Sequence, residues 1–143
     1  MRGERKRGRH PLPLAGLLVL VLAVGVGCSA VEADAVGEIE LSTETFDFGT
    51  VPNTDPVSET FQVRNVGQGT LEILGVSTSC ACTTAEVGSL RIPPGEATDL
   101  TVMYDPQVHD GATGEFMRLI YVRSDDPDTQ EAQLTVRVTV VKE

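Results

Sequence analysis

From residue 57 onward, apolar and polar positions alternate in short runs. In VSETFQVRNVG (57–67), Phe61 and Val63 alternate with Thr60, Gln62 and Arg64. In EATDLTVMYDP (96–106), Leu100, Val102 and Tyr104 alternate with Thr101 and Met103. The longest run, AQLTVRVTV (132–140), places Ala132, Leu134, Val136, Val138 and Val140 on one face and Thr135, Arg137 and Thr139 on the other. A period of two belongs to a strand with one face on a core and one in water. On the strand predicted over 114–124, Phe116, Ile120 and Val122 take the inward parity, and Met117, Leu119 and Tyr121 the outward one. Three outward apolar residues form a candidate partner-binding stripe, unless a neighbouring loop covers them. Arg118 shares the inward parity, which puts the start of that strand at a rim.

One run breaks its own rhythm. In TLEILGVSTSC (70–80) the apolar positions are Leu71 and Ile73 and then, after an odd step, Val76. A bulge at Leu74-Gly75 restores the register, because it inserts one residue and glycine tolerates the geometry. Val76, Thr78, Cys80 and Cys82 then continue on the core side. Turn chemistry separates the runs at Val66-Gly67-Gln68-Gly69, at Pro93-Pro94-Gly95 and at Asp125-Asp126-Pro127-Asp128. About seven short strands, no Trp and little helix predict an all-β fold, an antiparallel β-sandwich over residues 38–143. Such a domain can bury a core without disulfides.

The first 37 residues follow another pattern. The first ten, MRGERKRGRH, hold five of the 11 Lys and Arg residues; an apolar run from Leu14 to Gly27 follows, then Cys28. A basic start, a short apolar run and a small-residue exit predict a signal peptide over 1–27 and an exported protein. The four residues Gly25-Val26-Gly27-Cys28 resemble the lipobox of bacterial lipoproteins, with Gly25 where that pattern prefers Leu. The resemblance implies acylation of Cys28, anchorage to the membrane of the cell envelope, and a flexible tether over 28–37. Ser29, which is not Asp, suits outer-membrane sorting in a host that has an outer membrane. Plain secretion and an uncleaved signal-anchor are the competing readings. Loss of residues 1–27 removes five basic residues and Glu4, leaving 6 basic against 20 acidic residues, a net charge of −14. Phosphate backbones repel so acidic a surface, so no nucleic-acid partner is expected.

Three cysteines leave one unpaired in an exported protein unless Cys28 carries lipid; Cys80 and Cys82 then form an even pair. The matching pieces FDFGTV (46–51), FQVRNVGQGTLEILGV (61–76), SCACT (79–83), IPPGEATDLTVMYDP (92–106) and GEFMRLIYVRSDDPD (114–128) stand in order along the chain. In these the chain resembles the bacterial "domain of unknown function 1573", an immunoglobulin-like family related to the ASH/Hydin sandwich domains. That family carries Ser-Cys-Gly-Cys-Thr where this chain has SCACT. The resemblance implies an exported, often lipid-anchored immunoglobulin-like sandwich and brings no established reaction.

Residues Cys80 and Cys82 admit three uses. They could form a structural disulfide or finish a strand as half-buried thiols, exchange electrons, or offer soft ligands to copper(I) or zinc. Two residues apart on an extended strand, their Cα atoms lie near the bridging limit of about 6.8 Å, so a disulfide requires a bend at Ala81. The structural use is the expectation, and a redox or copper-handling protein is the alternative. No cofactor and no metal are expected; Cys80, Cys82 and His109 are the residues that would hold a metal. His109 is the one histidine after the predicted signal peptide, and no nucleophile motif flanks it, so no catalytic residue and no enzyme activity are expected. The acidic loop SDDPDTQE, with Asp125, Asp126, Asp128 and Glu131, reads as a solvated turn in preference to a calcium loop. The predicted function is a non-enzymatic binding or envelope-assembly module with an unidentified envelope protein as partner.

Overall fold

The computed structural model describes residues 34–143. Among these residues nine strands are formed: β1 (Ile39–Leu41), β2 (Thr45–Pro52), β3 (Val57–Asn65), β4 (Leu71–Thr78), β5 (Thr83–Val87), β6 (Arg91–Ile92), β7 (Ala97–Tyr104), β8 (Gly114–Ser124) and β9 (Glu131–Val141). They make two sheets, a four-stranded one in the order β1-β3-β7-β5 and a five-stranded one in the order β2-β9-β8-β4-β6. The expected count of about seven misses β1 and β6, which hold three and two residues and carry no readable period. The pairs are antiparallel except β2–β9, which is parallel. The antiparallel expectation is corrected there: β2 is delivered to the sheet edge by a crossing from β1, so it meets β9 in the same direction.

The alternating runs face as their pattern predicts. Leu134 and Val136 of β9 are buried with Phe61 and Val63 of β3 and Leu100 and Val102 of β7, and Val138 and Val140 with Val51 of β2 and Tyr104 of β7. Each such side chain contributes about 1.5–3 kcal/mol by leaving water. The bulge in β4 is where the odd step placed it: the β4–β8 register shifts between Ile73 and Gly75, and Leu74 is turned out to solvent.

At one end of the sandwich two buried polar side chains clasp the sheets. Asn65, fully buried at the end of β3, donates from Nδ2 to the carbonyls of Gly69 (2.7 Å) and Ile92 (2.8 Å). Its Oδ1 accepts from the backbone of Glu38 (3.1 Å) and Gly67 (3.0 Å). Asp126 is buried rather than solvated, which corrects the expectation for the acidic loop. Its carboxylate accepts from the N–H groups of Ile39 (2.8 Å), Asp128 (2.8 Å) and Thr129 (3.0 Å), so it belongs to the fold and not to a cation site.

Cys28 and residues 1–27 lie outside the described residues. The tether expected over 28–37 is corrected at its end, because Ala35–Gly37 are docked on the β3–β4 loop. Gln68 and Gly69 donate to the carbonyl of Val36 at 3.0 and 2.8 Å. Contact is so close that a methyl group on Gly37 would stand 2.5 Å from the Cα of Leu71, and one on Gly69 would collide with the carbonyl of Ala35. Glycine at both places is what lets the two backbones touch.

Candidate functional site

The cysteines lie at the other end of the sandwich, where the chain leaves β4 in one sheet and enters β5 in the other. Residues Ser79–Cys82 form a tight turn, and Thr83 N–H donates to the carbonyl of Cys80 at 3.0 Å. This is the bend a Cys-x-Cys bridge needs: the Cα atoms of Cys80 and Cys82 are drawn to 5.2 Å and the two are disulfide-bonded. Ala81 makes the bend without a positive φ. The turn is pinned from several sides. The Thr78 hydroxyl faces the carbonyls of Cys80 (3.0 Å) and Thr83 (2.8 Å). Asp105 N–H donates to the carbonyl of Cys82 (2.8 Å), and Ser79 exchanges hydrogen bonds with the backbone of Leu119 on β8.

Cys82 is 1% exposed and packs with Val51, Tyr104, Val138 and Val140 in a small core of its own; Cys80 is half-buried at its edge. A 3₁₀ turn, Pro106–His109, follows β7, capped at its start by the Asp105 carboxylate, which accepts from Gln107 N–H at 2.9 Å. It carries His109 to the cysteines, with Nε2 3.2 Å from Cys80 Sγ. The sulfurs and a His109 nitrogen all lie within 4.8 Å of one another, so the fold brings together the three residues that the sequence named as candidate metal ligands.

Arg118 completes the site and explains its own inward parity. From β8 its Nε donates to Cys82 Sγ at 3.0 Å and its Nη1 to the carbonyl of Met117 at 2.9 Å. The guanidinium lies over the rings of Phe116 (5.0 Å) and Tyr104 (6.0 Å), an arrangement their π faces favour. Burial raises the Tyr104 hydroxyl above its ordinary pKa; the Arg118 charge opposes the shift and that of Asp105 adds to it. Sequence reasoning missed Arg118 as a neighbour of sulfur; an arginine at a core-facing position was the signal available.

The outward stripe lies apart, on the outer face of the five-stranded sheet. Met117 is 55% exposed, while Leu119 and Tyr121 are half-buried. Opposite them on β9 stand Arg137, Thr135 and Gln133. Met117 also walls a cleft of about 350 Å³ shared with Asp47, Glu115 and Arg137. Among the described residues no helix is long and apolar enough to cross a membrane.

Comparison places this arrangement among known proteins. The model of a family described as a protein of unknown function, DUF1573, matches residues 39–140. A solved protein of unknown function from Porphyromonas gingivalis W83 is 27% identical with a TM-score of 0.68, over 79% of this chain and 51% of its own. The chain thus spans about half the length of that protein. An ASH/PapD-like domain of human CEP192 is similar in fold (8% identity, TM-score 0.57, 73% of this chain and 86% of that one). So is the YadV chaperone, at 16% identity and a TM-score of 0.52 over 73% of this chain and 52% of its own. No curated protein matches the sequence. The sandwich is therefore of the immunoglobulin-like, PapD-like type.

Proposed function

This chain belongs to the DUF1573 family of proteins of unknown function, and from that premise we propose that it is an exported, membrane-tethered binding module that holds another envelope protein and catalyses no reaction. The observation that carries the reading is the stripe of Met117, Leu119 and Tyr121 in the middle of the five-stranded sheet's outer face. There a solvent-facing apolar methionine stands beside two half-buried apolar neighbours. A sandwich already buries its inner faces, so three adjacent apolar side chains on an outer face make a surface suited to a partner. The basic start, the apolar run to Gly27 and Cys28 support export and a lipid anchor that would hold the domain beside its partner. The acidic surface favours a partner with a basic rim around an apolar centre.

A photo-crosslinking residue at Met117 should give one discrete adduct in whole cells, and the same residue at Met103, exposed on the opposite sheet, should give none. An adduct of twice the chain mass would put a second copy in the partner's place, and equal labelling from both positions would overturn the reading. Met117→Ser combined with Leu119→Ser should weaken the complex while changing stability by less than about 1 kcal/mol; loss of folding would make these residues core. Intact mass tests the anchor: the expected product begins at Cys28 with a diacyl or triacyl increment, and an unmodified Cys28 removes the lipid from the proposal.

A further inference from the structure

A disulfide's sulfurs are weak hydrogen-bond acceptors, yet both sulfurs here are met by donors. Cys80 Sγ receives the backbone N–H of Cys82 at 3.2 Å and has His109 Nε2 at 3.2 Å. Cys82 Sγ receives Arg118 Nε–H at 3.0 Å, with the Thr83 hydroxyl at 3.8 Å. Such a set suits thiolates better than it suits a disulfide. Arg118 sharpens the point. Among the described residues it makes no ion pair, and its charge rests on two rings, a carbonyl and a sulfur. A guanidinium cannot shed its charge. The anion that would balance it is the thiolate of Cys82.

An inert staple accounts for none of this. A bridge between residues two apart constrains the unfolded chain very little, since loop-closure stabilisation grows with loop length. A metal centre fits poorly, because a bound cation on Cys80, Cys82 and His109 would sit beside the Arg118 charge.

We propose that Cys80 and Cys82 form a thiol–disulfide exchange site for a dithiol partner, with Arg118 and His109 as its working residues. A thiolate of the dithiol attacks Cys80 Sγ, the accessible sulfur. The Cys80–Cys82 bond breaks, a mixed disulfide forms on Cys80, and Cys82 leaves as a thiolate against Arg118. The second thiol of the dithiol, deprotonated, then attacks its own sulfur in the mixed disulfide and releases Cys80, which takes a proton by way of His109. The dithiol loses two electrons and becomes a disulfide, the cysteine pair gains them, and one proton goes to water while Arg118 holds the Cys82 thiolate. Exchange is stoichiometric, one disulfide traded per encounter, so it adds to the binding role without requiring it, and it depends on neither the anchor nor the outer stripe.

The test equilibrates the full chain with reduced and oxidised dithiothreitol at fixed pH and reads the reduced fraction by alkylation and mass. Arg118→Gln is expected to shift the equilibrium about tenfold toward the disulfide, about 30 mV for two electrons, and Arg118→Lys to recover part of the shift. An unchanged equilibrium in Arg118→Gln overturns the proposal. A second measurement covers a variant that fails to fold. Cys82→Ser, which retains Cys80, should form a mixed disulfide with oxidised glutathione at least about tenfold faster than Cys80→Ser, which retains the buried thiol. Equal rates overturn the assignment of Cys80 as the attacked sulfur. Stoichiometric uptake of copper(I) or zinc by the reduced chain overturns it in favour of a metal site.

Discussion

Asn65→Ala is expected to lower the free energy of unfolding by about 3–5 kcal/mol, measured as a shift of the urea midpoint at unchanged slope. Asn65 is fully buried and all four of its amide positions are used: two donated bonds to Gly69 and Ile92, two accepted from Glu38 and Gly67. Truncation strands two carbonyls and two N–H groups, and all but the Glu38 N–H are in buried hydrogen bonds; each stranded buried group costs about 1–3 kcal/mol unless the end of the sandwich opens to hydrate it. Asn65→Asp should be worse. It replaces the donor facing two carbonyls by an oxygen and buries a charge among acceptors. The damage crosses the sandwich, since Ile92 belongs to the five-stranded sheet and Asn65 to the four-stranded one.

Asp126→Asn is expected to cost about 2–3 kcal/mol at neutral pH and progressively less in acid. The Asp126 carboxyl is held below the usual carboxylate range: burial pushes it up, but the N–H groups of Ile39, Thr129 and Asp128 together pull it down further. A folded-state pKa below the unfolded one gives stability that is complete above the unfolded value and is lost as pH falls through the depressed one. The stability curves of wild type and variant should therefore run parallel above about pH 5 and converge below about pH 4. In the variant an amide group faces the Ile39 N–H, donor against donor, so that amide should also exchange faster with solvent. Parallel curves down to pH 2 would remove the carboxylate from this role.

How much of this was legible in the sequence depends on what each residue must satisfy. β9 was readable outright because its Leu134–Val140 face is buried along its whole length, in the main core at Leu134 and Val136 and in the smaller one at Val138 and Val140. The bulge in β4 was readable because one odd step in an otherwise regular pattern has few geometric solutions. β2 was harder: it lies on the sheet edge, its register on β9 shifts between Asp47 and Thr50, and Phe46 and Phe48 are only half-buried. Asp126 was read as a solvated turn because what buries it is the start of β1, 87 residues away. Of the site, the cysteine pair and His109 were named from residue type, and Ala81 marked where the bend had to fall. What joined them to Arg118 is a turn between sheets, which no local pattern encodes.

The position of β9 carries a consequence for the living chain. Synthesis makes β2 well before β9, yet among the described residues β2 has no ladder neighbour except β9, and β8 holds only one of its two until β9 arrives. A chain that ends at the Asp125–Gln130 loop therefore cannot complete its larger sheet, whereas every strand of the smaller one is already present. Long-range pairings of this kind are slow to form. The arrangement ties the two ends of the strand series together: the edge strand made early gains its place in the larger sheet only when residues 131–141 are there to receive it.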